Sequence, residues 1–167
     1  HADHAGIWLR IAKKESRLPS VTYAEALDEA LCLGWIDGQK KALDGTSFLQ
    51  KFTRRGKRSL WSKTNVAHVA RLEKEGRMKP AGLAVVAAAK ADGRWDAAYH
   101  SASSAEMPAD FIAALAREPA AKAFFTTLNK TQRYRLFFRI TNARKPETRS
   151  KRISDFVAML KRGEILK

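Results

Sequence analysis

One short segment of the chain contains many basic residues and no acidic one. It is therefore the part of the sequence best suited to binding anions. Residues 51–63 carry six basic side chains and no acidic one. A helix is predicted to begin at Ser62, and the free N–H groups at a helix start attract phosphates and carboxylates. Trp61 offers a ring on which a nucleobase would stack. The candidate anion-binding residues of this segment are Arg54, Arg55, Arg58, Trp61, Ser62 and Lys63.

A purely structural interpretation of the same residues stays open. Ser62 would then only cap the helix that follows it, and Trp61 would pack in the core, as a large aromatic side chain beside a cap usually does. The concentration of charge favours a functional surface, because an even spread of basic residues would contribute mostly to solubility.

A second basic cluster lies near the C-terminal end. Residues 130–152 carry nine basic side chains and one acidic one, and Arg149 and Arg152 are the candidate anion ligands. Arg149 stands one helical turn before an apolar helix face. It either extends over the core and caps carbonyl groups or points into a cleft. Basic residues mixed with aromatic ones are typical of nucleic-acid-binding proteins but not specific to them.

A single carboxylate is the best candidate for orienting a ligand. Asp37 stands between two glycines in GWIDGQKK, and a glycine within a strand permits a bulge or a close approach of the backbone. Asp37 would either orient a ligand or form a structural ion pair with an arginine. No second carboxylate stands at a fixed spacing that would complete an acid–base pair.

The sequence contains no recognisable catalytic, nucleotide-binding or metal-binding motif. The patterns GxGxxG, GxxxxGK[ST], HExxH and GxSxG are missing. His1 and His4 stand three residues apart and could bind a metal, but histidines at a chain end seldom do, and His68 and His100 have no companions at ligand spacing. We therefore predict no metal site and no cofactor, name no catalytic residue, and favour a protein that is not an enzyme.

Composition places the chain among ordinary globular proteins. It has 167 residues, 45% hydrophobic residues, a net charge of +15 and one cysteine, Cys32. A chain of this length can bury a core without disulfides. A single cysteine fits a reducing compartment, and we find neither a signal peptide nor a membrane span in the sequence. The default expectation is a cytoplasmic protein.

Local patterns in the first third predict a strand, a helix and a hairpin. Residues 7–13 alternate between apolar and mixed faces, as a strand does. Thr22, with a glutamate three residues later, forms a capping box for a helix that ends at Gly34. Two strand-like runs follow, joined by Asp44-Gly45, a dipeptide typical of hairpins.

From Ser62 onward the pattern is helical. Asn129 is predicted to cap a further helix, and the last helix carries apolar residues at helical spacing from Ile153 to Leu160. The sequence thus predicts an α+β fold, with a small, mainly antiparallel sheet in the first third packed by about six helices. The C-terminal part is expected to be all helical.

We expect residues 1–167 to form a single domain. The most loop-like stretch, residues 100–107, suggests a subdivision into an α/β part, 1–99, and a helical part, 108–167.

Several linked motifs resemble a known bacterial family over almost the whole chain. They are, in order, WLRIAKK, YAEALDEALCLGWIDGQKK, FTRR, WSKTN, GRMKPAG and KPETRSKRI. The chain resembles the YdeI or OmpD-associated (OmdA-like) family of bacteriocin-protection proteins. The resemblance implies a small α+β protein connected with protection against bacteriocins or cationic peptides and with stress resistance. It implies no catalytic residue.

Three functional hypotheses remain at the level of sequence. The first is a non-enzymatic binding protein with a basic, anion-recognising face. The second is a nucleic-acid-binding protein that uses the same face. The third is an enzyme on a small anionic substrate, with Asp37 and Arg149 facing each other. Direct capture of cationic peptides is disfavoured, because like charges repel across an interface.

Overall fold

The computed structural model of the chain describes residues 5–100 and 105–166. The chain divides into two units, His1–Ala98 and Tyr99–Lys167. Each unit has its own cluster of buried apolar side chains. Part of the predicted loop 100–107 lies outside the described residues.

The described part of the first unit contains three strands and three helices. In chain order they are β1 (Ile7–Ala12), α1 (Tyr23–Cys32), β2 (Trp35–Ala42), β3 (Ser47–Arg54), α2 (Lys63–Lys74) and α3 (Pro80–Ala91).

The three strands form one antiparallel sheet in the order β1-β3-β2. In β1, Ile7 pairs with Phe52 and Trp8 pairs with Lys51. The register of β2 against β3 shifts between Asp37 and Lys40. The shift occurs at the glycine-containing stretch where the sequence permits a bulge.

The hairpin between β2 and β3 is held by one carboxylate. Oδ1 of Asp44 accepts hydrogen bonds from the backbone N–H groups of Thr46 at 2.8 Å and Ser47 at 2.7 Å. These bonds keep the pKa of Asp44 far below its usual range. The hairpin predicted at Asp44-Gly45 is confirmed.

The helices of the first unit begin where the sequence predicts. Thr22 and Glu25 form the capping box of α1, and the Ser62 side chain accepts from Asn65 N–H at the start of α2. Pro80 is the first residue of α3. Buried Asp28 joins α1 to α2, since its carboxylate lies 2.8 Å from His68 Nδ1 and accepts from Arg71.

The described part of the second unit is all helical. Its helices are α4 (Ala109–Ala116), α5 (Pro119–Thr127), α6 (Lys130–Thr141) and α7 (Pro146–Lys161). Asn129 and Gln132 form the capping box of α6, as predicted. Phe111, Ile140 and Leu160 are fully buried and lie in one cluster.

These observations confirm an α+β fold with a small antiparallel sheet early in the chain and a helical C-terminal part. The described residues form seven helices, one more than the approximate number predicted. Two of the seven, α4 and α5, are short helices separated by a break at Glu118-Pro119. None of the helices in the described ranges has the length and apolarity needed to cross a membrane.

Candidate functional site

The first unit contains an apolar cavity of about 930 Å³. It lies between the sheet and the helices α1 and α3. Its walls are mostly hydrocarbon and include Ile7, Leu9, Ala26, Ala30, Phe52 and Val85. It is open to solvent, because the lining residues Ile7, Val21 and Leu33 are about half exposed.

The residue spacing of strand β1 and of helix α1 determines which side chains line the cavity. Alternation along β1 directs Ile7 and Leu9 to the cavity, while Trp8 between them belongs to the opposite face of the sheet. Ala26 and Ala30 stand four residues apart on α1 and therefore share one helix face. Small side chains on that face leave the volume that larger residues would fill.

Four charged residues line the cavity, and both acids among them are already engaged. Glu25 accepts from the Thr22 backbone N–H at 2.7 Å and from its hydroxyl at 2.8 Å. These bonds lower the pKa of Glu25. Glu29 accepts from Arg77 at 2.7 Å.

The side chain of Arg55 has a structural role. It is buried, its guanidinium carbon lies 3.7 Å from the centre of the Trp61 ring, and it donates to the Leu60 carbonyl at 2.8 Å. Trp61 is itself buried and meets Trp95 edge-on at 4.8 Å. A ring covered in this way presents no face to a nucleobase, so its position matches the structural interpretation.

Arg54 differs from its neighbour. It is exposed, lines the cavity, and makes no side-chain hydrogen bond or ion pair with any residue in the described ranges. Since the two glutamates already have partners, the guanidinium of Arg54 is the uncompensated charge beside an apolar cavity.

The remaining candidates of the first basic segment do not line this cavity. Ser62 caps α2 through Asn65 N–H at 3.1 Å. Lys63 is the exposed first residue of that helix, and Arg58 is exposed in the preceding loop.

The two C-terminal candidates hold helix α6 in place. Arg149 donates to both oxygens of Asp110, at 2.7 and 2.9 Å, and to the Ile140 carbonyl at 3.2 Å. Arg152 donates to the Arg139 carbonyl. Both guanidiniums therefore satisfy carbonyls in the last turn of α6, which is the capping role that the sequence left as one alternative.

Asp37 has a partner other than the expected arginine. The hydroxyl of Tyr23 donates to its carboxylate at 2.8 Å. Partial removal of the Tyr23 phenol from water, together with this bond, raises its pKa. Asp37 and Arg149 belong to different units and each has a partner within its own unit, so the hypothesis that they face each other stays a prediction, as does a single basic face.

The described ranges contain no group of three or more His, Cys, Asp or Glu side chains that could hold a metal ion. His1 and His4 lie outside those ranges.

Sequence reasoning found Arg54 but missed the cavity beside it. Its walls come mainly from four segments of the chain, β1, α1, β3 and α3, and small residues on a helix face do not by themselves indicate a cavity. Two features of the sequence reflect the cavity: the alternation of side chains along β1, and the four-residue spacing of Ala26 and Ala30.

Two family models match separate parts of the chain. Residues 1–85, just over half of the chain, match a model described as Domain of unknown function (DUF8412). Residues 104–163 match a model described as Bacteriocin-protection, YdeI or OmpD-Associated (OmdA), which confirms the resemblance to that family. No curated protein and no solved structure matches the chain.

Proposed function

The chain belongs to the DUF8412 family of domains of unknown function, and we propose that it is a non-enzymatic binding protein whose cavity takes an amphipathic anion. Such a ligand has an apolar body and a carboxylate, sulfate or phosphate group at one end. The observation that carries the proposal is the unpartnered guanidinium of Arg54 at the edge of an apolar cavity.

The dimensions of the cavity suit a small molecule. Ligand pockets commonly enclose roughly 300–1,000 Å³, with apolar walls and a few polar groups that fix orientation. An apolar body would replace water against Leu9, Phe52 and Val85, and each buried methylene contributes about 0.8 kcal/mol. An anionic head would accept charge-assisted hydrogen bonds from Arg54.

The charged side chains around the cavity favour a ligand with an anionic head group over one with a cationic head group. A cationic head would meet Arg54 without a free carboxylate nearby, because Glu25 and Glu29 are held by Thr22 and Arg77. An anionic head meets an arginine with all its side-chain donors available. The same reasoning disfavours direct capture of cationic peptides by this site.

The C-terminal match links the chain to a family described by bacteriocin protection. A protective role through an anionic small molecule is compatible with the net charge of +15. In this proposal the protein senses or stores such a molecule during stress. Cytoplasmic location, predicted from the single cysteine, remains part of the proposal.

Calorimetric titration with octanoate, decanoate and dodecanoate at submicellar concentration tests the proposal. We expect affinity to rise roughly fifteenfold for every two added methylenes, since each contributes about 0.8 kcal/mol. Replacement of Arg54 by glutamine should weaken decanoate binding about tenfold, because a hydrogen bond to a charged group is lost.

Arg58→Gln is the matched control, because it removes the same charge from the same basic segment but does not line the cavity. It should leave the affinity for decanoate unchanged. Decyltrimethylammonium has the same chain and the opposite charge. Equal binding of this cation, or no binding of any carboxylate at millimolar concentration, would refute the proposal.

A further inference from the structure

The face of the sheet opposite the cavity carries an aromatic ring between lysines. Strand register places Trp8, Leu49 and Lys51 together on this side, and Lys41 pairs with Leu49. We call Trp8, Lys41, Leu49 and Lys51 the outer sheet face. Trp8 is 38% exposed, although it is a large apolar side chain.

The lysines of the outer sheet face are directed at the ring. Nζ of Lys41 lies 4.6 Å, and Nζ of Lys51 5.7 Å, from the centre of the Trp8 ring. Neither lysine makes a side-chain hydrogen bond or ion pair within the part of the chain that the structure describes. Their positive charge is therefore available to a ligand.

Acidic side chains do not compensate this charge. None of the strand residues that the register places on this face is acidic. Asp44, in the turn of the hairpin, already accepts hydrogen bonds from Thr46 and Ser47 and lies 3.5 Å from Arg10. An exposed ring flanked by uncompensated ammonium groups combines a stacking surface with an anion site.

We propose that the outer sheet face binds single-stranded nucleic acid, with a base stacked on Trp8 and the adjoining phosphates held by Lys41 and Lys51. An aromatic ring on an open sheet, bordered by basic residues, suits unpaired bases, because every base has a face that can stack. In a duplex the bases are stacked on one another and their faces are covered. A protein could then recognise only the shape and the phosphates of the double helix.

This site is independent of the cavity. Ile7 and Leu9 line the cavity, whereas Trp8 stands between them on the other side of β1. Substitution of Trp8 should therefore leave the binding of decanoate unchanged, and Arg54→Gln should leave the binding of an oligonucleotide nearly unchanged. Failure of one proposal can be told from failure of the other.

Fluorescence anisotropy of labelled twelve-nucleotide dT and rU strands, titrated at several salt concentrations, tests the site. Trp8→Ala should weaken binding about tenfold or more through lost stacking. Trp8→Phe, which keeps an aromatic ring and checks that the strand still folds, should restore most of the affinity. Lys41→Gln and Lys51→Gln should each reduce the slope of log affinity against log salt by about 0.7.

Lys40→Gln is the matched control. Lys40 is the neighbour of Lys41 but pairs with Gln50 and lies over the Phe48 ring, on the cavity side of the sheet. If Lys40→Gln weakens binding as much as Lys41→Gln, the interaction is unspecific attraction to a basic protein, and the proposal is wrong. Equal affinity for the matching duplex or for a poly-glutamate peptide would also overturn it, as would no binding at low salt.

Discussion

At the scale of single residues, two adjacent arginines show how little the residue type alone decides. Arg54 is exposed beside the cavity, whereas Arg55 is buried against Trp61. The two arginines contribute equally to the net charge of the chain. Arg54 ends a strand and Arg55 begins the loop, where its backbone N–H donates to the Gly34 carbonyl at 3.1 Å. The direction of each side chain depends on the point at which the strand ends. A run of basic residues in the sequence does not reveal that point.

Asp28 is the residue whose loss should affect the first unit most through charge. Burial by itself raises its pKa, but the hydrogen bonds from His68 and Arg71 outweigh burial and hold the pKa below the ordinary value of 3.8. Asp28→Asn should lower the free energy of unfolding by about 2 kcal/mol near neutral pH, the scale of a hydrogen bond to a charged group. Urea unfolding measures this loss.

The difference between wild type and Asp28→Asn should also depend on pH. A carboxylate with a depressed pKa stabilises the folded state above the unfolded-state pKa, and this contribution disappears as pH falls through the folded-state value. The two proteins should therefore begin to converge as the pH falls below about 4 and become equal in this respect only below the folded-state pKa of Asp28. Asp155→Asn, which breaks an exposed pair with Lys151, should cost less than about 0.5 kcal/mol. A difference that persists unchanged at pH 2 would contradict the assignment.

At the scale of elements, helix starts and the hairpin were predictable because they depend on neighbours in sequence. Thr22, Ser62 and Asn129 each cap a helix through a backbone N–H three residues later. Contacts across the chain were not predictable in this way. The Arg149–Asp110 pair joins residues 39 positions apart, and nothing in the local pattern of either residue indicates the other.

The packing of α3 against α1 depends on Gly82. A Cβ atom at this position would lie 2.3 Å from the Cys32 carbonyl oxygen. Alanine normally stabilises a helix relative to glycine, but here the backbone of α1 leaves no room. Gly82→Ala should lower the free energy of unfolding by about 2 kcal/mol, as overpacking does, measured by urea denaturation.

Gly45→Ala serves as the control for this substitution, because a Cβ there meets nothing within 4 Å. Its effect should stay within about 0.5 kcal/mol. Since α1 and α3 both line the cavity, Gly82→Ala should also weaken decanoate binding. Unchanged stability would show that α1 and α3 can separate at little cost.

At the scale of the whole molecule, the two units correspond to the two family matches. Residues 1–85 fall within the first unit and residues 104–163 within the second. Composition predicted a folded globular protein, and the local patterns predicted its elements and therefore the α+β class. The cavity and the outer sheet face were out of reach, because each is assembled from strands and helices whose register a single sequence does not specify.

Separate buried clusters predict separate unfolding transitions. Leu72 belongs to the cluster of the first unit and Leu136 to that of the second, and both are fully buried. Truncation of either to alanine should cost about 2–5 kcal/mol. In calorimetry, Leu72→Ala should lower one transition and Leu136→Ala the other. A single transition that both variants lower equally would show that the units unfold together.

The strand order β1-β3-β2 also has a consequence for the protein in concentrated solution. In the described sheet, β2 is hydrogen-bonded on one side only. A free edge is a template on which another chain can add a strand, and lysines on that strand oppose the addition. Lys40 and Lys41 should therefore oppose the joining of copies of the protein along β2, and their neutralisation should favour aggregation.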